Sequence, residues 1–494
     1  MTDDGFIGID LGTTAIKVGL FDATGACRAA ASAEFELATP HPGFAEFDAD
    51  AYVRRVMDCI GQVVRGAARP GESVRAIGFS SQAQTFVLVG RDGRPVRPAV
   101  GWLDVRASVE AKELSSLAAQ SRQEPINAIA SGPKLLWLRR REPETFARTA
   151  HVMLLPDYVI FQLTGRAVSD PVTAGSTGLF DRWARRWIEP LLEVCGLTPD
   201  MMPEVMRPGE CAGTATDSMA SGLGLPPEVL VAVGTNDQYT GALGAGNVMP
   251  GCASIALGTA LAIVATGLTR TGLARGVGAV PHPASAPGHE LYALLAYAKT
   301  AGIVVRWFRD RFAPGLSYEE LFAEAASVPA GAGGVSCVPH FSGSATPDFD
   351  PSVRGTFAGL ELGHGRAHLA RALVESLAFT VRENVELLNR AVKVEELRAI
   401  GGGAKSDFWL QMMADVTGVP LERVATTEAA CLGAAELAMA ATGEQGSVSE
   451  IALRLYRAQR RFEPAAAGRS AYEDAFARYR ALYRSLYGKE EKGG

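Results

Sequence analysis

The sequence is short of basic charge, of paired cysteines and of long apolar runs, and each shortage excludes a class of function. Lys and Arg number 48 against 54 Asp and Glu, a formal net charge of −6. With no dense basic run, the chain lacks the electrostatic footprint of a general nucleic-acid binder. The seven cysteines (Cys27, Cys59, Cys195, Cys211, Cys252, Cys337, Cys431) are scattered, odd in number and never in a CxxC pair. They suit a reducing compartment better than a disulfide framework or a zinc site. No stretch approaches the ~18 consecutive apolar residues of a membrane span. The opening MTDDGFIGID is acidic and enters a strand pattern at once, unlike a secretory leader. The expectation is a cytoplasmic protein with neither a nucleic-acid nor a membrane partner.

What the chain does have is length and a core-forming composition. With 494 residues, 47% hydrophobic and 21% charged, two domains are expected. Alternation predicts strands over 6–22 and 26–37. Val53, Val56, Met57, Ile60, Val63 and Val64 predict a helix over 48–68. Strand and helix patterns recur in VRAIGFSS, TFVLVGRDG, HVMLLPDYVIFQLTG and VLVAVGTNDQYTGALGAG. After Gly251 the second half begins its own hairpin, followed by a long helix near 368–388.

The two halves open alike. GIDLGTTAIKVGLFD, from Gly8 to Asp22, returns as SIALGTALAIVATG, from Ser254 to Gly267. At constant offset Ile9, Leu11, Gly12, Thr13 and Val18 meet Ile255, Leu257, Gly258, Thr259 and Val264, while Asp10 meets Ala256. Glycine lets a backbone approach a phosphate, and Thr adds a hydroxyl beside the turn's N–H groups. Two such turns could grip a polyphosphate; the alternative is two ordinary tight hairpins. Their half-length spacing favours a duplicated α/β fold, divided at 1–248 and 249–494, with ligands in a cleft between the halves.

GIDLGTTAIKVGLFD resembles the first phosphate turn of the sugar-kinase branch of the actin and Hsp70 superfamily. GTFAGLELGHGRAHLARALVE (Gly355 to Glu375) and GPKLLWLRRREPE (Gly132 to Glu144, with Lys134 and Trp137 in place) are similar to the two signature patterns of the FGGY family of carbohydrate kinases. The resemblance runs from about Gly5 to about Tyr479. IGGGAKSDFWLQMMADVTG and PHFSGSATPDFDP look most like the xylulose kinases of that family. The resemblance implies two duplicated ribonuclease H-like domains with a cleft, ATP, a divalent metal such as Mg2+, and a sugar or polyol hydroxyl as acceptor. It gives the sugar site, first phosphate turn and catalytic Asp to 1–248, and the second phosphate turn and adenosine site to 249–494. Gly12, Thr13, Thr14 and Lys17, with Gly258 and Thr259, then surround the phosphates, and Gly402, Gly403 and Ala404 meet the adenosine.

Asp10 beside a phosphate turn makes electrostatic sense when a cation lies between them, and magnesium is the fitting one; the alternative is an Asp favoured by its own turn. Ala256 in the second copy agrees, because one metal needs charge from one side only. Asp237, in GTND ahead of a small-residue helix, suits the base that takes an acceptor's proton. A plain N-cap is the alternative, and Thr235 or Asn236 could cap equally well. The resemblance supports the base and also places Asp237 near the metal. Gln82, Ala83, Trp102, Asp104, Arg106 and Gln238 are expected at the sugar, since amides and carboxylates suit vicinal hydroxyls. A surface turn with a local Asp–Arg pair is the alternative for Asp104 and Arg106.

Here the chain departs from its subgroups. Ala83 and Gln84 follow Gln82, where xylulose kinases usually have Met-His and glycerol kinases Arg-Glu; Gln238 is similar to glycerol kinases. For GGGAKS (Gly401 to Ser406) a tight strand–helix junction is the alternative to a ligand site. Phe408 and Trp409 are expected in the core, and His364 and His368 at a helix start.

The expected activity is ATP-dependent phosphorylation of a terminal hydroxyl of a small sugar, a ketopentose such as D-xylulose, with glycerol or another short polyol as the alternative acceptor. From other classes come an actin- or Hsp70-like ATPase and a sugar sensor on a kinase fold. A homodimer is compatible with this reading.

Overall fold

The computed structural model describes residues 4–66, 73–120, 125–466 and 468–488. The chain forms two compact units, one of Met1–Gly246 with Ala429–Leu455, the other of Asn247–Glu428 with Tyr456–Gly494.

In the first unit, strands β1 (Asp4–Leu11), β2 (Ala15–Asp22), β3 (Cys27–Glu34), β4 (Ser73–Ser81), β5 (Cys211–Thr214) and β6 (Leu230–Ala232) lie in the order β5-β6-β4-β1-β2-β3. A short strand β7 (Thr235–Asn236) continues beside β4. Helix α1 (Ala49–Gly66) covers this sheet because Tyr52, Val53, Val56, Cys59, Ile60 and Val63 fall on one face and are buried. Asp48 opens it by accepting the Ala51 N–H at 2.9 Å. A smaller sheet of Glu46–Phe47, Ala99–Val100, Phe86–Val89 and His151–Leu154 stands beside the first. Helix α2 (Ser131–Arg141) shares an apolar cluster with it through Leu135, Leu136 and Leu138. Helix α3 (Asp237–Gly244) follows β7 directly.

In the second unit, β8 (Cys252–Leu257), β9 (Leu261–Gly267), β10 (Gly278–Pro281), β11 (Tyr292–Ala298), β12 (Glu396–Ile400), β13 (Leu421–Val424) and β14 (Ala458–Phe462) lie in the order β10-β11-β9-β8-β12-β13-β14. From β3 to β5 the pairings in the first sheet run antiparallel, antiparallel, parallel, parallel, antiparallel. From β11 to β14 the second sheet repeats that series. The duplication expected from two hairpins extends through the sheets. Helices α4 (Arg366–Leu388) and α5 (Asp407–Thr417) pack on the second core, with Trp409 buried and Phe408 partly so.

The constant-offset match of the hairpins needs one correction. Ile9 pairs with Val18, but Ile255 pairs with Ile263, not Val264. The second turn is one residue shorter, and a slip of one residue exchanges the faces of a strand. The true counterpart of the cross-strand pair Asp10–Lys17 is therefore Ala256–Ala262. The second copy has lost both charges.

Helices α6 (Ala429–Ala441) and α7 (Val448–Leu455) return to the first unit, an excursion for which the expected division at 248/249 has no place. Glycine explains how α6 fits. A Cβ on Gly8 would stand 1.8 Å from the Cys431 carbonyl oxygen, and one on Gly244 2.0 Å from that of Ala429. Both neighbours are backbone, so neither yields easily. Gly8→Ala should therefore cost about 1–3 kcal/mol, read as a Tm lowered by several degrees; an unchanged melt would contradict this packing of α6 on β1.

Candidate active site

The site begins where the first hairpin turns. A Cβ at Gly12 would lie 2.5 Å from the Ala15 carbonyl oxygen, so the turn takes glycine. The Gly12 carbonyl accepts two hydrogen bonds at 3.0 Å, from Gln82 Nε2 and the Tyr52 hydroxyl. Burial, with the charge of Asp10, holds the Tyr52 phenol well above its ordinary range, so it stays a donor. Thr14 is exposed at the tip, and the Phe35 N–H anchors its carbonyl at 3.0 Å.

Asp10, partly exposed, accepts a hydrogen bond from Ser80 Oγ at 2.8 Å and faces Lys17 across the hairpin. Ser80 is also the register partner of Thr235 on β7. Asp10 and Thr235 thus flank the end of β4 from either side, roughly 10 Å apart at two strand spacings, and Asp237 lies just beyond. Asn236, not Asp237, is the cap of α3, its Oδ1 accepting the Gln238 N–H at 3.2 Å. Asp237 is the first residue of the helix. Its own Oδ1 accepts the Gln238 N–H at 2.8 Å. Its carboxyl is nonetheless pushed up to about 7, first by desolvation and then by the charge of Asp10, against hydrogen bonds from Gln238 and Asn236. A carboxyl poised there can take up or release a proton near neutral pH.

Buried Asp170 supports this end of the strand. It caps the helix Pro171–Gly175 through the Val172 and Thr173 N–H groups and accepts the Thr235 hydroxyl at 2.9 Å. Nothing in the sequence pattern singles out Asp170; only folding brings it under Thr235.

The expected sugar wall divides in two. Gln82 and Trp102 join the Gly12–Thr14 turn: Trp102 Nε1 donates to Thr13 Oγ1 at 2.8 Å, and Thr13 donates to Gln82 Oε1 at 3.4 Å. Asp104 and Arg106, expected at its surface, lie inside it. Asp104 is 0% exposed, and its carboxylate accepts the Ala45 N–H and the Arg106 guanidinium. Arg106 also pairs with Glu46 and lies 3.6 Å over the Phe44 ring. The local Asp–Arg pair is real, but Phe44 and Trp137 cover it, so it braces the wall from behind. Beneath the same wall, Lys134 donates to the Gly101 carbonyl at 3.0 Å, and burial brings its ammonium down to about 7.

A cavity of about 190 Å³ opens at Gln84. Gln84, Asn127, Ser176, Asp181, Arg182 and Trp183 supply its polar lining. Gln84 takes a left-handed backbone, φ 60°, with its N–H on Ser176 Oγ at 3.3 Å. Sequence reasoning missed the 175–183 side, whose one signal is the small-residue cluster GSTG. Ala83 stands partly exposed beside Gln84, and Gln238 is partly exposed on α3.

In the second unit, Gly258 and Thr259 are exposed at the shorter turn, and the Gly302 and Ala301 N–H groups hold their carbonyls at 2.9 and 3.0 Å. Of the GGGAKS glycines, Gly401 and Gly403 are explained by packing: a Cβ on either would crowd Leu257, and on Gly403 also Trp409. Gly402 faces open space. The Ala404 side chain is buried, and its carbonyl accepts from Arg423 Nε at 2.7 Å.

Residues 6–244 match the model of the FGGY carbohydrate kinase N-terminal domain, and 253–442 that of the C-terminal domain. The chain belongs to the FGGY family of carbohydrate kinases. This FGGY kinase is 31% identical to a xylulose kinase of Escherichia coli K12, covering 97% of this chain and 99% of that one. It is also 31% identical to a glycerol kinase of Bordetella parapertussis, over 94% of each. Its structure is similar to that of a xyloylose kinase from Brucella ovis, with TM-score 0.89 and 32% identity over 98% of this chain and 99% of that one. Membership makes the protein a carbohydrate kinase, and ATP use follows from the family. No helix among the described residues is long and apolar enough to cross a membrane. The donor set at Asp10 and Asp237 fits magnesium. Asp10 raises the proton affinity of Asp237, which favours a cation beside them, and Mg2+ takes one or two carboxylates alongside phosphate oxygens and water.

Proposed function

We propose that this kinase transfers the γ-phosphoryl group of ATP to a terminal hydroxyl of a ketopentose such as D-xylulose. The observation that carries the mechanism is Asp237, the first residue of α3, beside Asp10 and raised to about 7. In this reading Asp237 takes the acceptor hydroxyl's proton as its oxygen attacks the γ-phosphorus. The phosphates rest on the turn Gly12–Thr14 with Lys17 beside it. Within the second unit, the turn Gly258–Thr259 is assigned to phosphate, and Gly402, Gly403 and Ala404 to the adenosine. Magnesium, held by Asp10 with Asp237 near it, would neutralise phosphate charge. The acceptor is assigned to the side of the site formed by Gln82, Ala83, Trp102 and Gln238; the cavity at Gln84, whose lining holds neither Trp102 nor Gln238, stays outside that assignment. Asp104 and Arg106 keep the Trp102 wall rigid.

Full-length similarity to xylulose kinases favours a ketopentose. A glycerol kinase of equal identity supports the second reading, a short polyol. ADP release with Mg2+ and ATP across ketopentoses, hexuloses, pentitols, tetritols and glycerol decides between them. D-xylulose or a near epimer is expected to raise turnover far above the water background. A response to glycerol alone would establish the second reading, and steady hydrolysis indifferent to every acceptor would point to an ATPase.

A further inference from the structure

The phosphate turn and the sugar wall are tied by a closed ring of hydrogen bonds whose two arms both run from Trp102 to the Gln82 side-chain carbonyl. The Trp102 backbone N–H donates to Thr85 Oγ1 at 3.0 Å, and the Thr85 hydroxyl donates to Gln82 Oε1 at 3.0 Å. The indole N–H of Trp102 donates to Thr13 Oγ1 at 2.8 Å, and the Thr13 hydroxyl donates to the same Gln82 oxygen at 3.4 Å. Indole N–H is donor only, so each threonine hydroxyl accepts once and donates once. Turning the Gln82 amide over would set its N–H2 against both hydroxyls, so the ring fixes its orientation. The other end of Gln82 holds the Gly12 carbonyl. Gln82 and Thr85 are buried, whereas Thr13 and Trp102 are partly exposed, one on the turn and one on the wall.

We infer that this ring couples the two substrates: Trp102, Thr13 and Gln82 are positioning residues that pass occupancy of the acceptor wall to the phosphate turn, and the reverse. The inference rests on the reading that phosphates lie at Gly12–Thr14 and the acceptor at the Trp102 wall. Thr13 is central, because both hydrogen-bonding directions of its hydroxyl are already committed inside the protein. Its side chain aligns the turn rather than holding phosphate. The 3.4 Å link is the longest in the ring, hence the one with most to gain when a ligand draws wall and turn together.

The test measures KM for ATP and for the accepted sugar in the full-length enzyme and in Trp102→Phe, Thr13→Val, Thr13→Ser and the Trp102→Phe/Thr13→Val double variant. A lost neutral hydrogen bond corresponds to about a three- to tenfold change. Trp102→Phe, a change on the sugar side, should raise the KM for ATP by that factor. Thr13→Val, a change on the phosphate side, should raise the KM for the sugar. The double variant should be no worse than the poorer single one, and Thr13→Ser, which keeps the hydroxyl, should restore most of both constants. Effects that multiply, each confined to its own substrate, would overturn the coupling. Asp10→Asn measured alongside separates the two failures. If it too leaves ATP handling unchanged, the phosphates do not lie at this turn and both readings fall; if it alone changes ATP handling, only the coupling falls.

Discussion

Asp237→Asn is expected to lower kcat by about 10²–10⁴-fold, the usual contribution of a positioned general base, while the Kd for ATP stays within a few-fold of the parent. The asparagine keeps the shape and can still accept the Gln238 N–H, so α3, already capped by Asn236, keeps its first turn. What disappears is the group able to take a proton near neutral pH. Quench-flow measurement of sugar phosphate, with ATP binding followed by calorimetry, separates the two effects. Turnover within tenfold of the parent would remove Asp237 from the role of base.

Asp10→Asn is expected to be nearly as damaging, by about 10²–10³-fold in kcat, the scale of losing one preorganised electrostatic contact in a reaction that develops charge. Its signature differs. Asp10 bears on the metal and phosphates, so the concentration of magnesium giving half-maximal rate should rise as well. The variant should fold normally, because Ser80 can donate to the amide oxygen as it does to the carboxylate. An unchanged magnesium dependence would detach Asp10 from the metal.

Much of this was legible in the chain because it is local. The alternation of β1 and β2 and the glycine that the Gly12 turn demands are short-range facts. So is the 3.6-residue stripe of α1, expected over 48–68 and found from Ala49 to Gly66; residues 67 and 68 lie outside the described ones. The long helix near 368–388 begins at Arg366, with His364 and His368 at its start. What could not be read is what depends on distant partners. A one-residue difference between turns is invisible in a constant-offset match, yet it decides which residue faces Ile255. A polar pair such as Asp104 and Arg106 reads as a sugar contact, or as a surface turn, until Phe44 and Trp137 arrive from elsewhere to cover it. The Ala- and Gly-rich helix α6 announces close packing but not its partner. Gly8 and Gly244, far away in sequence, make its place against β1 and α3. The 175–183 side of the cavity is similar, a loop whose polar residues gain meaning only opposite Gln84.

The dependence of kcat/KM for ATP on pH, in the parent and in Asp10→Asn, tests the Asp10–Asp237 pair most directly. The base must be deprotonated to work, so the rate should fall as pH drops through its pKa. In the parent that acidic limb, which for kcat/KM reports the enzyme before MgATP binds, should centre near 7, where burial and Asp10 together hold Asp237. In Asp10→Asn the limb should move to lower pH, because one of the two causes is gone. It should remain above the ordinary carboxylate range of about 4, because burial, the larger cause, is unchanged. A parent limb already near 4, or one that Asp10→Asn leaves in place, would contradict the pairing of these two carboxylates at the centre of the site.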